Sequence, residues 1–284
     1  KIRARHNVPV EIHAADFSKG DTVRAVIDKV GNADILVNNA GAIPRGDIFG
    51  MTEAKWREAW ELKMFGYVNA TRAMLEKMYA RKSGVVVNII GLAGELFNYD
   101  YVAGTTANAG LMAFTRAVGS KSVDHGVRVV AINPPGTRTD RMETLLRSQA
   151  TQQFGDAERW RELTKHLPFG RPAEPDEVAD LAVFLASERA AYISGVVMTL
   201  DAGLGAHHPA QVDGPAPPGG VRVHRADLGD RQGDQPLAAQ QLFGQARGVR
   251  FDPPLGRLTL RVQGLVLKSG HGVNRGWREP TRRR

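Results

Sequence analysis

The sequence predicts an α/β protein, a doubly wound parallel sheet with helices on both faces. Three observations carry this reading. Short apolar runs rich in β-branched residues alternate with longer helical patterns along residues 1–205. Most of those runs are continuously apolar rather than alternating, as strands covered on both faces require. They end in small or turn-forming residues, and in open parallel sheets ligands bind beyond such strand ends.

Each element follows in chain order. "VEIHAADF" (10–17) is the first expected strand, and a helical pattern covers Asp21–Val30. "ADILVNNAG" (33–41) is the second strand, followed by a long helical stretch over Thr52–Arg81. "GVVVNII" (84–90), a helix of small residues over Val102–Asp124 and the strand "VRVVAINPPG" (127–136) come next. Pro175 after Glu174, with Asp176 and Glu177 behind it, suits the first turn of a helix running to Ser187. "VVMTLDAG" (196–203) is the last strand of this region. Regular alternation of strand and helix implies a parallel sheet.

Composition narrows the function classes. The net charge is +8, but residues 206–284 hold 12 Arg, 1 Lys and 6 acids, so the first 205 residues are close to neutral. The basicity therefore belongs to the tail, and no specific nucleic-acid partner is expected. No apolar run reaches the ~18 residues of a membrane span, so no membrane partner is expected. With no cysteine there is no disulfide and no thiolate chemistry. A cytoplasmic location is the expectation. No metal site is expected: His207 and His208 have no third ligand at zinc-site spacing.

Residues 206–284 differ in character, with Gly and Pro at 20 of 79 positions. Strand-like pieces occur at "VRVHRA" and "RLTLRVQGLVLK", without a repeat or a long amphipathic helix. An irregular extension is expected there, either a flexible tail or an out-of-frame continuation of a GC-rich gene. The domain boundaries are thus 1–205 and 206–284.

The chemistry-bearing motifs lie at successive strand ends: Asn38-Asn39-Ala40-Gly41, Gly91-Leu92-Ala93-Gly94, then Tyr101, then Pro134-Pro135-Gly136 with Thr139 and Asp140, and finally "YISG" before "LDAG". In this order and spacing the chain resembles the short-chain dehydrogenase/reductase family over residues 1–205. Its most specific parts are "DILVNNAG", "GVRVVAINPPGTRTD" and "LPFGRPAEPDEVADLAVFLASERAAYISGVVMTLDAG". The resemblance implies a Rossmann-like fold, NAD or NADP as cofactor, and hydride transfer between a nicotinamide and a small carbonyl or alcohol substrate. It also implies a homodimer or homotetramer packed through the long helices.

Residue by residue, the resemblance assigns adenine contact to Asp16 and Phe17. It gives the adenine-ribose turn to Asn39, Ala40 and Gly41, and the nicotinamide flank to Pro134, Thr137 and Thr139. Pro135 stands where the family has glycine. The family's phosphate-binding glycine turn, which lies upstream of Asp16, is not among these residues. The expected fold therefore lacks its first βαβ portion, with poor dinucleotide binding and marginal folding by these residues alone.

The catalytic set departs further. The family pairs a tyrosine with a lysine four residues on, a serine on the preceding strand and an asparagine in an earlier helix. Here Tyr101 is present, but those three positions carry Thr105, Gly91 and Lys63. A phenol with an unperturbed pKa of ~10 needs a nearby cation to exchange a proton near neutrality. Two readings stay open. In one, Lys63 supplies that cation, its stem spanning ~6 Å, and Tyr101 handles the proton, with Thr105, Thr106 or Asn108 assisting. In the other, the protein binds a nucleotide or oligomerises without turnover. Trp56 and Trp60, four apart on a helix, read as packing residues. Met142 to His166, with Leu145, Leu146, Phe154, Trp160 and Leu163, reads as an apolar substrate cover.

Overall fold

The computed structural model describes residues 8–206 and 265–267. Strands β1 (Ile35–Asn38), β2 (Gly84–Ile89), β3 (Val127–Asn133) and β4 (Val197–Thr199) are parallel neighbours. A fifth strand, β5 (Leu265–Leu267), pairs antiparallel with β1, giving the order β4-β3-β2-β1-β5. It comes from the strand-like stretch at 257–268, whereas "VRVHRA" and the rest of the tail lie outside the described residues.

Consecutive side chains of each central strand enter opposite layers, because Cβ atoms alternate across a sheet. Val86, Val127 and Val129 pack with Val23, Ile27, Met74 and Met78 from helices α1 (Gly20–Val30) and α3 (Gly66–Arg81). Their neighbours Val87, Val130 and Ile132 pack on the other face with Leu185, beneath the helix we number α6 (Pro175–Ala186). Two apolar layers around continuously apolar strands make the doubly wound architecture. Fully burying one such side chain stabilises by about 1.5–3 kcal/mol.

The expected helices form. The stretch Thr52–Arg81 is one run in three parts: α2 (Glu53–Trp60), a π-helical turn (Glu61–Phe65) and α3. Thr52 caps it by accepting from the Lys55 N–H at 3.4 Å. Helix α4 (Val102–Ser122) follows β2, and α5 (Asp140–Phe154) follows β3. Helix α6 begins with a capping box between Glu174 and Glu177, as Pro175 at its first turn predicts.

The strand expected at 10–17 does not form, and these residues run irregularly into α1. A strand needs a hydrogen-bonded neighbour, and the outer edge of β1 is taken by β5 instead. The stretch has the composition of a strand but forms none among the described residues.

Candidate active site

Three side chains grip three consecutive backbone carbonyls where β2 ends. The Tyr67 hydroxyl donates to the Ile89 oxygen at 2.8 Å. The Lys63 ammonium donates to the Ile90 oxygen. The Asn108 amide donates to the Gly91 oxygen at 3.2 Å. Lys63 and Tyr67 are four residues apart on one helical run and so share a face. Asn108 comes from α4, on the other side of the corner.

Two glycines make room, one for the lysine and one for the neighbouring asparagine. A Cβ on Gly41 would lie 2.9 Å from Lys63 Cδ, so the lysine stem passes through the space a side chain would fill. Gly91 has φ 136°, a conformation L side chains rarely adopt. A Cβ there would lie 3.1 Å from Asn108 Nδ2 and 3.9 Å from Lys63 Nζ. The ammonium and the amide thus converge on the position of the family's serine side chain. Burial lowers the Lys63 pKa to about 8, because removing an ammonium from water disfavours its charged form.

Tyr101 stands at the N-terminal boundary of α4, with its ring folded over Gly104. It packs with Ile43, Met51, Trp56, Trp60 and Ala107. Trp56 and Trp60 meet edge-to-face at 5.4 Å, and Trp60 Nε1 donates to the Ala103 carbonyl at 3.0 Å, so both serve packing. A parallel bridge from Gly46 fixes the Tyr101 backbone. Burial raises the Tyr101 pKa, while the charges of Arg141 and Arg45 oppose that rise and do not overcome it. The sequence pointed instead to a cation-lowered phenol. The Thr105 hydroxyl accepts from the Asn98 N–H at 3.4 Å.

The candidate cofactor residues separate into groups. Phe17, Asn39 and Ala40 line one crevice with Ile27, Leu36 and Tyr67 at the end of β1. Asp16 is turned away from it, its carboxylate accepting from the Ser18 N–H at 3.0 Å and the Ser18 hydroxyl at 2.6 Å. Those bonds lower the Asp16 pKa. Gly41 lies against Lys63 and is not among the crevice residues. At the end of β3 the Pro134 carbonyl accepts from the Leu92 N–H at 2.8 Å, joining two strand ends. The Thr137 hydroxyl donates to the Pro135 carbonyl at 3.1 Å. Thr139 caps α5, accepting from the Met142 N–H at 3.3 Å. The glycine turn that would hold a dinucleotide's pyrophosphate is not among these residues.

Beyond α5 lies an open cleft of about 450 Å³, lined by Met142, Leu146, Phe154 and Leu163 with Gln149 and His166. Trp160 is buried and Leu145 faces solvent, so neither lines it. Among the described residues no group of three metal-ligating side chains occurs, and no helix is long and apolar enough to cross a membrane.

The profile of a family described as enoyl-(acyl carrier protein) reductase matches residues 3–205. The 3-oxoacyl-(acyl-carrier-protein) reductase of Chlamydia muridarum is 31% identical over 202 residues, covering 69% of this chain and 76% of its own. Oxidoreductase UcpA of Escherichia coli K12 is 31% identical over 194 residues, covering 66% and 73%. The structure of L-sorbose reductase from Gluconobacter frateurii, complexed with NADPH and L-sorbose, superposes with a TM-score of 0.68 at 29% identity, covering 72% and 80%. The chain belongs to the short-chain dehydrogenase/reductase family, NAD(P)-dependent oxidoreductases that interconvert carbonyl and alcohol groups.

Proposed function

We propose that the protein reduces a small carbonyl compound with an apolar substituent, using Tyr101 and Lys63 to handle the proton. The observation that carries this reading is the placement of the Lys63 ammonium at the corner left open by Gly91. The nicotinamide, when bound, supplies the hydride. Phe17, Asn39 and Ala40 would hold its adenosine end, with Asp16 and Gly41 supporting the adjoining turns. Pro134, Thr137 and Thr139 would flank its nicotinamide.

The state of the tyrosine suits reduction. A phenol with a raised pKa stays protonated across neutrality, so it can give its proton to an alkoxide oxygen formed at the carbonyl. The reverse reaction needs the phenolate and so needs alkaline pH. Lys63, charged below about pH 8, places positive charge where the oxyanion develops. The cleft beside α5 suits an apolar substituent on the substrate. The Chlamydia muridarum relative acts by name on 3-oxoacyl groups and the Gluconobacter frateurii protein on L-sorbose. A homodimer or homotetramer through α3 and α4, and a cytoplasmic location, complete the reading.

The pH dependence of kcat/KM tests the assignment. Reduction should be level to about pH 8 and fall above it as Lys63 loses its proton. A reduction profile level from pH 6 to 10 would remove Lys63 from the chemistry. Short 3-oxoacyl thioesters and ketoses, assayed with NADH and NADPH, identify the substrate and cofactor. Turnover of neither class would reject the substrate assignment.

A further inference from the structure

Asn108 is 3% exposed, and its amide oxygen is buried without a hydrogen-bond partner among the described residues. A buried amide oxygen left without a donor is costly, because it has given up water and gained nothing. Its nitrogen is already engaged on the Gly91 carbonyl, which fixes the direction in which the amide points. Lys63 has the opposite deficit. An ammonium carries three N–H donors, and among the described residues Lys63 donates to the Ile90 carbonyl. The Asn108 amide, through its nitrogen, and the Lys63 ammonium border the missing side chain of Gly91.

We infer that Asn108 is a positioning residue whose Oδ1 accepts from the Lys63 ammonium and holds it, charged, at the Gly91 corner. The contact is completed by rotation about the last bond of the lysine stem or by one bridging water, for which the glycine leaves room. This inference rests on the proposed role of Lys63 for its catalytic consequence, but not for the contact itself. The groups facing Lys63 are few. Tyr67 comes from its own helical run, Asn108 from α4, Gly41 from the loop after β1, and the carbonyls from β2. Tyr67 is the ionisable one, and burial keeps it neutral. Burial alone sets the lysine's shift, with no charged group contributing. A change at position 108 is therefore read directly in the lysine.

The test is an NMR titration of the full chain with NADPH, using lysine labelled with carbon-13 at the ε position and Lys63→Met to assign the resonance. Asn108→Leu removes the acceptor at similar volume and should lower the Lys63 midpoint by about one pH unit. Asn108→Asp adds a carboxylate and should raise it by more than about one pH unit. A purely packing role for Asn108 would not move the midpoint in opposite directions. An unmoved midpoint in both variants overturns the inference. Should Asn108→Leu fail to fold, the sign of the shift in Asn108→Asp decides alone. If the midpoints move but the alkaline limb of kcat/KM does not follow, the positioning role stands and the catalytic role of Lys63 falls.

Discussion

Two buried polar clusters lie in this domain, and they are built to different standards. In the interior, Asn38 donates to Thr71 at 3.0 Å and to Asn88 at 2.8 Å, Asn88 donates to Thr115 at 3.0 Å, and Thr115 donates to the Leu111 carbonyl at 2.8 Å. That chain ties β1, β2, α3 and α4 together, and its four side chains are buried and connected. At the end of β2, Lys63, Tyr67 and Asn108 hold the strand end, yet Asn108 keeps an unmatched oxygen. Asn133, at the end of β3, has neither side-chain atom matched. Buried polar groups are nearly always satisfied, so open valences need an explanation. The satisfied cluster ties strands to helices, and the open one lies at strand ends, the side of an open parallel sheet where ligands bind.

That contrast can be broken from either side. The largest expected effect is Tyr101→Phe, which removes the proposed proton donor and should lower kcat for reduction by about 10²–10⁴-fold. Steady-state rates would show it, and a loss below tenfold would point to another donor.

Next comes Asn88→Leu in the satisfied cluster. It strands the partners of both neighbours, so it should cost about 2–3 kcal/mol in urea unfolding. Its effect on KM should be small. A stability change below about 0.5 kcal/mol would deny the cluster its structural role.

Lys63→Met should act in the opposite direction. The folded-state pKa of about 8 lies below the unfolded value of 10.5, so the fold opposes the charged lysine. Folding stability therefore rises between those pH values, and the full opposing term is present below pH 8. At pH 7 the methionine variant should be more stable by about 1–3 kcal/mol, and less active. The stability difference should vanish near pH 10.5. A variant less stable at pH 7 would mean that the lysine is structural.

The smallest effect belongs to the cap of α6. The Glu177 carboxylate is held by Arg171 and by the Glu174 N–H, which lower its pKa to about 2. The pair faces solvent, so Glu177→Ala should cost only about 1 kcal/mol at pH 7. The charge contribution is present above pH 4.5 and is lost as pH falls through about 2. A pH-independent cost would assign the effect to helix propensity rather than to charge.

The four parallel strands and the long helices were legible because their apolar runs and caps are local. The strand expected at 10–17 was not, because alternation does not say which neighbour an edge will find. The π-helical turn that carries Lys63 leaves no mark in composition, although such turns often occur at functional sites. Tyr67 was missed altogether. Its place four residues beyond Lys63 on the same helix was the available signal. Gly41 was read as cofactor contact, and its nearness to the lysine stem is a fact of three elements meeting.

By itself the sequence determined the α/β class, the family, and the oddity of a tyrosine without its lysine or serine. Each of these is a matter of residue type at a chain spacing. The tertiary structure decided where the substitute charge goes. It also decided that burial dominates over charge at Tyr101, and that an asparagine amide faces the space Gly91 leaves open. Those outcomes depend on distances across elements and on loss of water, which no local pattern of residues encodes.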